Sequence, residues 1–264
     1  MKVGDVEVLA VADGVGVEVA AEILSRPGVE DAWACHGHHL EADGTLQLPL
    51  GGFLVRTAGR TVLVDAGVGP VDDGRYRGGG LLDSLAALGT APEDVTDVVF
   101  THLHFDHIGW ASLDGAPVFE RAVHRVHRAD WEHFVTGPQR VQAAADTLAP
   151  IVGQIELFDG DFTVAPGLDA VHTPGHTPGT TVFVASGQGR RALLLGDVFH
   201  SVVQFEEPDW QVIWDVDPAA ARAARNRIAD QAGATGDLVV AAHLPGMRFG
   251  RVITGDGPRR FTAV

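Results

Sequence analysis

The sequence predicts an α/β (α+β) chain folded as one domain over residues 1–264, and three features predict it. Short valine-rich runs bounded by glycine, proline or aspartate recur in both halves, which is the pattern of buried strands. Segments with helical spacing stand between them. No linker, low-complexity stretch or change of composition divides the chain, and 45% of its 264 residues are hydrophobic, enough to bury a large core.

Residues 3–12 alternate apolar and polar positions as a half-buried strand does, and 15–20 continue it or pair with it. The start M-K-V-G-D-V-E-V-L-A has one early basic residue, but acidic residues interrupt its apolar stretch. It reads neither as a signal peptide nor as a membrane span, so a cytoplasmic location is expected. Residues 21–45 show no clean period and are read as a long loop or lid around Trp33. Within it, W-A-C-H-G-H-H is read as an ordinary loop with a buried thiol rather than as a metal tract. Cys35 is the single cysteine, which excludes an internal disulfide and favours a reducing compartment.

The run L-P-L-G-G-F-L-V-R-T-A-G-R-T-V-L-V-D-A-G (48–67) gives two strands joined by the turn Ala58-Gly59. R-Y-R-G-G-G (75–80) lacks the G-K-[ST] of a phosphate cradle and is read as a flexible connection into a helix over Leu81–Leu88. V-T-D-V-V-F (95–100) is a buried strand, and it runs into T-H-L-H-F-D-H-I-G-W (101–110). Alternation at the strand end brings His102 and His104 to one side; Asp106 and His107 follow as the chain turns near Gly109. Imidazole and carboxylate suit Zn²⁺ and similar divalent ions, and ligands this dense can hold two ions rather than one.

Residues 117–126 hold a short strand or two, and Arg128–Val135 and Arg140–Leu148 show helical spacing. His124, His127 and His133 are read there as surface or supporting residues, and Trp131 and Phe134 as lining an entrance or packing on the core. Strands return at Phe162–Val164, Leu168–His172, Thr180–Ala185 and Arg191–Leu195. Three further fragments, H-T-P-G-H-T-P-G (172–179), L-L-L-G-D-V-F-H (193–200) and V-V-A-A-H-L-P-G (239–246), each set a ligand-type residue beside a Gly or Pro turn. The aromatic stretch 201–218 is read either as a pocket wall or as packing against the terminal helix. That helix opens at Pro218 with Asp217 as its N-cap, is expected to stop at Gly233, and carries Arg222, Arg225 and Arg227 as a surface helix.

The four fragments in this order resemble the metallo-β-lactamase superfamily, over most of the chain from the strand pair near residue 50 onward. The resemblance implies a four-layer αββα sandwich, two mixed sheets with outer helices, and metals at one edge. It makes His102, His104 and His176 ligands of a first metal and Asp106, His107 and His243 ligands of a second, with Asp197 bridging both. Two divalent ions are implied, zinc being expected and iron or manganese compatible with the same ligands. A hydroxide between them would be the nucleophile, with Asp106 passing a proton to the leaving group. His172 and His200 are supporting residues. Asp65, whose D-A-G ending is similar to the superfamily's D-T-G, either supports the metal loops or is a simple strand-end turn aspartate.

A formal net charge of −16 argues against a nucleic-acid partner, and no span addresses a membrane, which leaves a small-molecule substrate. The aromatic loop and terminal helix would support a homodimer. Within the superfamily, the best-known β-lactamases place a cysteine where Asp197 stands, the RNA-processing members carry an added domain or basic arm, and the electron-transfer members need a flavin domain. The remaining resemblance is to N-acyl homoserine lactone lactonases and methyl parathion hydrolase-like enzymes. It implies a binuclear zinc-dependent lactonase, esterase or phosphotriesterase. Thioesterase, iron-dependent sulfur oxygenase and a non-catalytic metal-binding module are the alternatives. Phe105, Trp110, Phe199, Phe205 and Trp210 are expected to line an apolar pocket, together with the loops 21–45 and 201–216. Some lactonases add a tyrosine at the substrate; the one tyrosine here, Tyr76, lies in the glycine-rich connection.

Overall fold

Two seven-stranded paths, each with its strands in chain order, make up the architecture. The computed structural model describes residues 1–255 and 257–264. The first sheet runs β1 (Lys2–Val3), β2 (Val6–Val19), β3 (Thr45–Thr57), β4 (Arg60–Val64), β5 (Asp97–Val99), β6 (Val123–His127) and β7 (Ile155–Phe158). Its first four strands are antiparallel and the rest join parallel. The second sheet runs β8 (Phe162–Ala165), β9 (Leu168–His172), β10 (Thr181–Gly187), β11 (Arg190–Leu194), β12 (Leu238–Val240), β13 (Gly250–Ile253) and β14 (Arg260–Ala263). Only β11 and β12 pair parallel there.

The period of two in the strands separates the layers. Val62, Val64 and Val99 from the first sheet meet Leu168, Ala170, Phe183, Ala192, Leu194 and Val240 from the second in one buried cluster. The alternate residues Leu63 and Val98 face outward onto helices α1 (Leu81–Ala87) and α2 (Gln142–Leu148). Leu193, Leu195 and Val239 face outward onto α3 (Pro218–Thr235). The result is the four-layer αββα sandwich with mixed sheets that the sequence led us to expect. Each buried Val, Leu or Phe adds roughly 1.5–3 kcal/mol, so the inter-sheet layer fixes the register of the strand ends that carry the site.

Local signals mostly landed where the sequence put them. Ala58 and Gly59 both take positive φ, 45° and 75°, the primed turn that matches the twist of a two-residue hairpin. Asp217 caps α3 by accepting from the backbone N–H of Ala219 and Ala220. Most of the stretches 3–12 and 15–20 forms one strand, β2 (Val6–Val19), irregular between Ala12 and Gly14, with Val3 in β1 and Ala20 opening a helical turn.

Other expectations need correcting. Helix α3 ends at Gly236, in the left-handed conformation (φ 72°), not at Gly233. The thiol of Cys35 is exposed, not buried. Arg225 is buried within α3 rather than on its surface, and His124 is fully buried on β6. The stretch 21–45 is partly ordered: Leu24–Ser25 pairs with Gln211–Val212, and Gly37–His39 forms a 3₁₀ turn. The glycine-rich connection is not simply flexible, because Tyr76–Arg77 adds a short strand to β2 at Val15–Gly16. Strands β13 and β14 lacked a period that marked them. No helix among the described residues is long and apolar enough to cross a membrane.

Candidate metal centre

Each of the seven expected ligands lies beyond the end of a strand. His102 and His104 follow β5, and a single helical turn, Phe105–Ile108, carries Asp106 and His107. His176 sits between β9 and β10, Asp197 on the 3₁₀ turn Gly196–Val198 after β11, and His243 after β12. Two glycines permit the approach of these loops. A Cβ on Gly109 would stand 2.0 Å from the Val68 carbonyl carbon, and one on Gly196, at φ 51°, would stand 2.6 Å from the Thr101 side chain.

The side chains converge in two groups that share one carboxylate. His102 Nε2 and His176 Nε2 stand 2.9 and 3.0 Å from His104 Nδ1. Both are 3.6 Å from Asp197 Oδ2. On the other side His107 Nε2 and His243 Nε2 lie 3.1 and 3.2 Å from Asp197 Oδ1. Asp106 Oδ2 is 3.8 Å from His107 Nε2 and 3.4 Å from His243 Nε2. All but His104 are buried.

The hydrogen bonds behind the rings decide which nitrogen each presents. The Thr101 hydroxyl donates to Asp65 Oδ2 (2.8 Å) and therefore accepts from His102 Nδ1 (3.1 Å). His107 Nδ1 donates to the same Asp65 oxygen at 2.9 Å. His176 Nδ1 donates to Asp215 Oδ1 and His243 Nδ1 to the Pro49 carbonyl, each at 3.1 Å. In all four rings Nδ1 holds its proton outward and Nε2 is turned toward Asp197, the arrangement of metal-ligating imidazoles whose outer N–H is anchored. His107 Nε2 and Asp197 Oδ1 are buried and have no hydrogen-bond partner. Orphaned polar atoms at the focus of a site are costly, and a divalent cation would satisfy them. The donor set, five imidazoles and two carboxylates, fits two such ions.

The electrostatics agree. Burial and the neighbouring imidazoles hold His102 and His104 well below the ordinary histidine range. Burial also opposes charge on His107 and His243, but Asp197 and its neighbouring carboxylates prevail and raise both. Burial likewise opposes charge on Asp197, yet the surrounding histidines hold it well below the usual carboxylate range. The carboxylates demand positive charge at this point.

Of the supporting residues named from sequence, Asp65 ties His107 to Thr101, whose backbone N–H it also accepts at 2.7 Å. His200 lies against the centre, with Nε2 3.1 Å from Asp197 Oδ2, and burial pushes its pKa down to about 4. His172 is further out. It bonds the Pro178 carbonyl at 2.9 Å and stacks on His127, bracing the His176 loop from behind.

Three carboxylates escaped the sequence reading. Asp130 accepts from the backbone of Gly179 (2.6 Å) and Leu103 (3.2 Å) and from the Thr177 hydroxyl (2.9 Å), joining the loops of the first histidine group; burial lifts its pKa to about 6. Asp215 holds His176 and is itself paired with buried Arg225 at 3.1 Å. Asp13 accepts from Val68, Gly69, Gly79, Leu81 and the Trp110 indole. Nothing in their own sequence neighbourhoods distinguishes them, since the loops they brace are remote along the chain.

A cavity of about 340 Å³ opens onto the centre, lined by His104, Asp106, Asp197 and His243 and walled by Glu18, Glu22, Ile23, Leu48, Arg75, Tyr76, Phe105, Ile213 and Trp214. Both expected loops contribute, through Glu22 and Ile23 and through Ile213 and Trp214. Among the five expected pocket aromatics, only Phe105 lines the cavity. Trp110, Phe199, Phe205 and Trp210 are buried in the packing clusters instead. Phe199 stacks on Phe205 with centroids 3.8 Å apart, and Trp210 packs against Trp33. These four turn into the helix-facing and loop-facing packing clusters, whereas Phe105, between His104 and Asp106, turns to the cavity. Tyr76, by contrast, reaches the cavity beside Phe105, and its hydroxyl donates to Glu18 Oε1 at 2.6 Å.

The comparisons with known proteins converge on one family. The sequence profile described as the Metallo-beta-lactamase superfamily matches residues 52–243. N-acyl homoserine lactonase AiiA of Bacillus thuringiensis subsp. kurstaki is 26% identical over 180 residues, covering 61% of this chain and 68% of that protein. Metallo-beta-lactamase domain-containing protein 1 of Mus musculus is 31% identical over 260 residues, covering 91% and 86%. Among solved structures, AidC, a dizinc quorum-quenching lactonase in complex with its product, superposes with a TM-score of 0.90 at 25% identity, over 100% of this chain and 96% of that one. The hydrolase AbOPH shares the fold, with a TM-score of 0.89 at 24% identity over 100% and 96%.

Proposed function

Because the chain belongs to the metallo-β-lactamase superfamily, we propose that it is a binuclear metal-dependent hydrolase acting on a lactone, ester or phosphotriester of a small apolar molecule. Its homologues and structural neighbours include metal-dependent lactonases. The observation that carries this reading is the set of four outward-anchored imidazoles turned onto the two oxygens of Asp197.

In this reading His102, His104 and His176 would hold one ion and Asp106, His107 and His243 the other, with Asp197, whose two oxygens face both groups, available to each. Zinc is the expected metal, the ligand set being compatible with iron or manganese. Two such ions supply Lewis acidity and a hydroxide near neutral pH. The chain's own part is positioning. Asp65, Asp215 and the Pro49 carbonyl fix ring orientations, Asp130 ties together the loops that carry the first histidine group, and Asp106, at the cavity face, moves the proton to the leaving oxygen. Ile23, Leu48, Phe105, Ile213 and Trp214 give the substrate an apolar arm to lie against. Tyr76 commits its proton to Glu18 and so offers the substrate an acceptor oxygen.

Elemental analysis of the purified protein, joined to turnover of acyl homoserine lactones, aryl esters, aryl phosphotriesters, acyl-thioesters and a β-lactam, tests the proposal. About two metal ions per chain with turnover of one of the first three classes is expected. His104→Ala and Asp197→Ala should each lower the metal content and abolish turnover. Iron without hydrolysis, or full activity in either variant, would overturn it.

A further inference from the structure

A second group of ligand-type side chains lies apart from the strand-end centre. His36 caps the 3₁₀ turn Gly37–His39, and three residues per turn bring His36 and His39 to one side. Opposite them stands Glu206, the last residue of a helical turn over Val203–Glu206. His36 Nδ1 and His39 Nε2 lie 3.8 and 3.9 Å from the same oxygen, Glu206 Oε2. The three donor atoms lie within 4.8 Å of one another.

Two observations show that these groups face each other without bonding. His36 Nδ1 and His39 Nε2 are both buried nitrogens with no hydrogen-bond partner. His36 Nε2 donates to Glu207 Oε2 at 3.2 Å, which leaves Nδ1 as a bare lone pair directed at a carboxylate. Glu207 is itself fixed by Arg26 at 2.7 Å and by the Trp210 indole at 3.1 Å. The tautomer of His36 is thus set from behind, as it is in the rings of the main centre. Two acceptors separated by a gap repel unless a cation lies between them. Ligands about 2.0–2.2 Å from a tetrahedral Zn²⁺ stand roughly 3.4 Å apart, so a contraction of a few tenths of an ångström would bring each nitrogen–carboxylate distance to that value, with the two imidazoles adjusting within the 4.8 Å that spans the group.

We propose that His36 Nδ1, His39 Nε2 and the Glu206 carboxylate bind one further divalent ion of the zinc type, with solvent completing the coordination. The ion joins segment 24–40 to segment 203–214. These segments already meet through Arg26–Asp209, Trp33–Trp210 and the Leu24–Val212 pairing. Their neighbours Ile23, Ile213 and Trp214 wall the cavity, so the ion pins that wall in place. The W-A-C-H-G-H-H tract, read from sequence as a plain loop, supplies both histidines.

The test is a Zn²⁺ titration of the metal-loaded protein against a chromophoric chelator, comparing the unmodified chain with His39→Ala and Glu206→Gln. One equivalent beyond those of the strand-end centre is expected in the unmodified chain. Each variant should bind that equivalent at least tenfold more weakly while keeping the metal of the main centre. No additional equivalent in the unmodified chain, or undiminished binding in both variants, would overturn the proposal. Should a variant not fold, anomalous scattering at the zinc edge from crystals of the unmodified protein decides: a peak between His36 Nδ1 and His39 Nε2 supports the site, and its absence refutes it. Failure of the main centre would show separately, as missing equivalents that the His39 and Glu206 substitutions do not affect.

Discussion

Asp65 Oδ2 stands 2.9 Å from His107 Nδ1 and 2.8 Å from the Thr101 hydroxyl that orients His102, so one carboxylate oxygen sets the tautomer of a ring in each half of the centre. Asp65 does this from a left-handed backbone conformation, φ 61°, which asparagine also tolerates. Asp65→Asn therefore isolates the carboxylate from the backbone. An amide NH₂ at the Oδ2 position cannot accept from either donor, and metal affinity should fall about 10- to 100-fold. Competition with a chelator of known affinity measures it, and an unchanged affinity would mean that the rings are held by packing alone.

Asp106 combines an oxygen 3.4 Å from His243 Nε2 with a place on the cavity wall. Asp106→Asn keeps a neutral oxygen ligand but removes the proton carrier. At least one metal ion should remain bound while kcat drops by roughly 100-fold or more. Elemental analysis and kinetics on the same preparation would show it; near-normal kcat removes Asp106 from proton transfer.

Two tryptophans four residues apart should behave in opposite ways. Trp210 is 1% exposed and packs on Trp33, so Trp210→Ala should cost about 3–5 kcal/mol in urea unfolding. Its ranking of substrates should not change. Trp214 lines the cavity, and Trp214→Ala should lower kcat/KM by about 10- to 100-fold for substrates with a long apolar arm, and less for short ones. The converse pattern would exchange the two assignments.

His124, outside both histidine groups of the candidate centre, gives a pH signature of its own. It is fully buried beside Phe100, and burial pushes its pKa from 6.5 down to about 4. Between these values the unfolded chain binds the proton and the folded chain does not, so stability rises with pH. The contribution is whole above pH 6.5 and is lost as the pH falls through about 4, a change of about 3 kcal/mol. Urea midpoints of His124→Leu followed from pH 7 to pH 4 should fall less steeply than those of the unmodified chain. Parallel curves would mean that His124 does not titrate on unfolding.

The proposed ligands were legible because their signal is local: a dense cluster after one strand, and single ligands beside Gly or Pro turns after others. The supports were not. Asp130, Asp215 and Asp13 reach the loops they brace across spans of 27 to 97 residues, and short-range pattern cannot see such pairings. The aromatics failed for a different reason. Phe199 lies two residues after Asp197 and Trp110 three after His107, but nearness in sequence does not say toward which layer a side chain turns. Tyr76 was discounted by distance along the chain, whereas a two-residue strand against Val15–Gly16 brings it to the cavity. The sandwich itself was implied by the motifs, while β13 and β14 followed from no motif.

The first sheet and its loops carry His102, His104, Asp106 and His107; the second carries His176, Asp197 and His243, and only the short passage from β7 to β8 connects them. Neither half contains a complete set of donors for either group. In thermodynamic terms, docking of the halves and uptake of the ions are then a single linked equilibrium: an ion at one hundred times its dissociation constant adds about 2.7 kcal/mol to the association. Chelation would remove that increment at the strand ends and leave the buried inter-sheet cluster to hold the halves together.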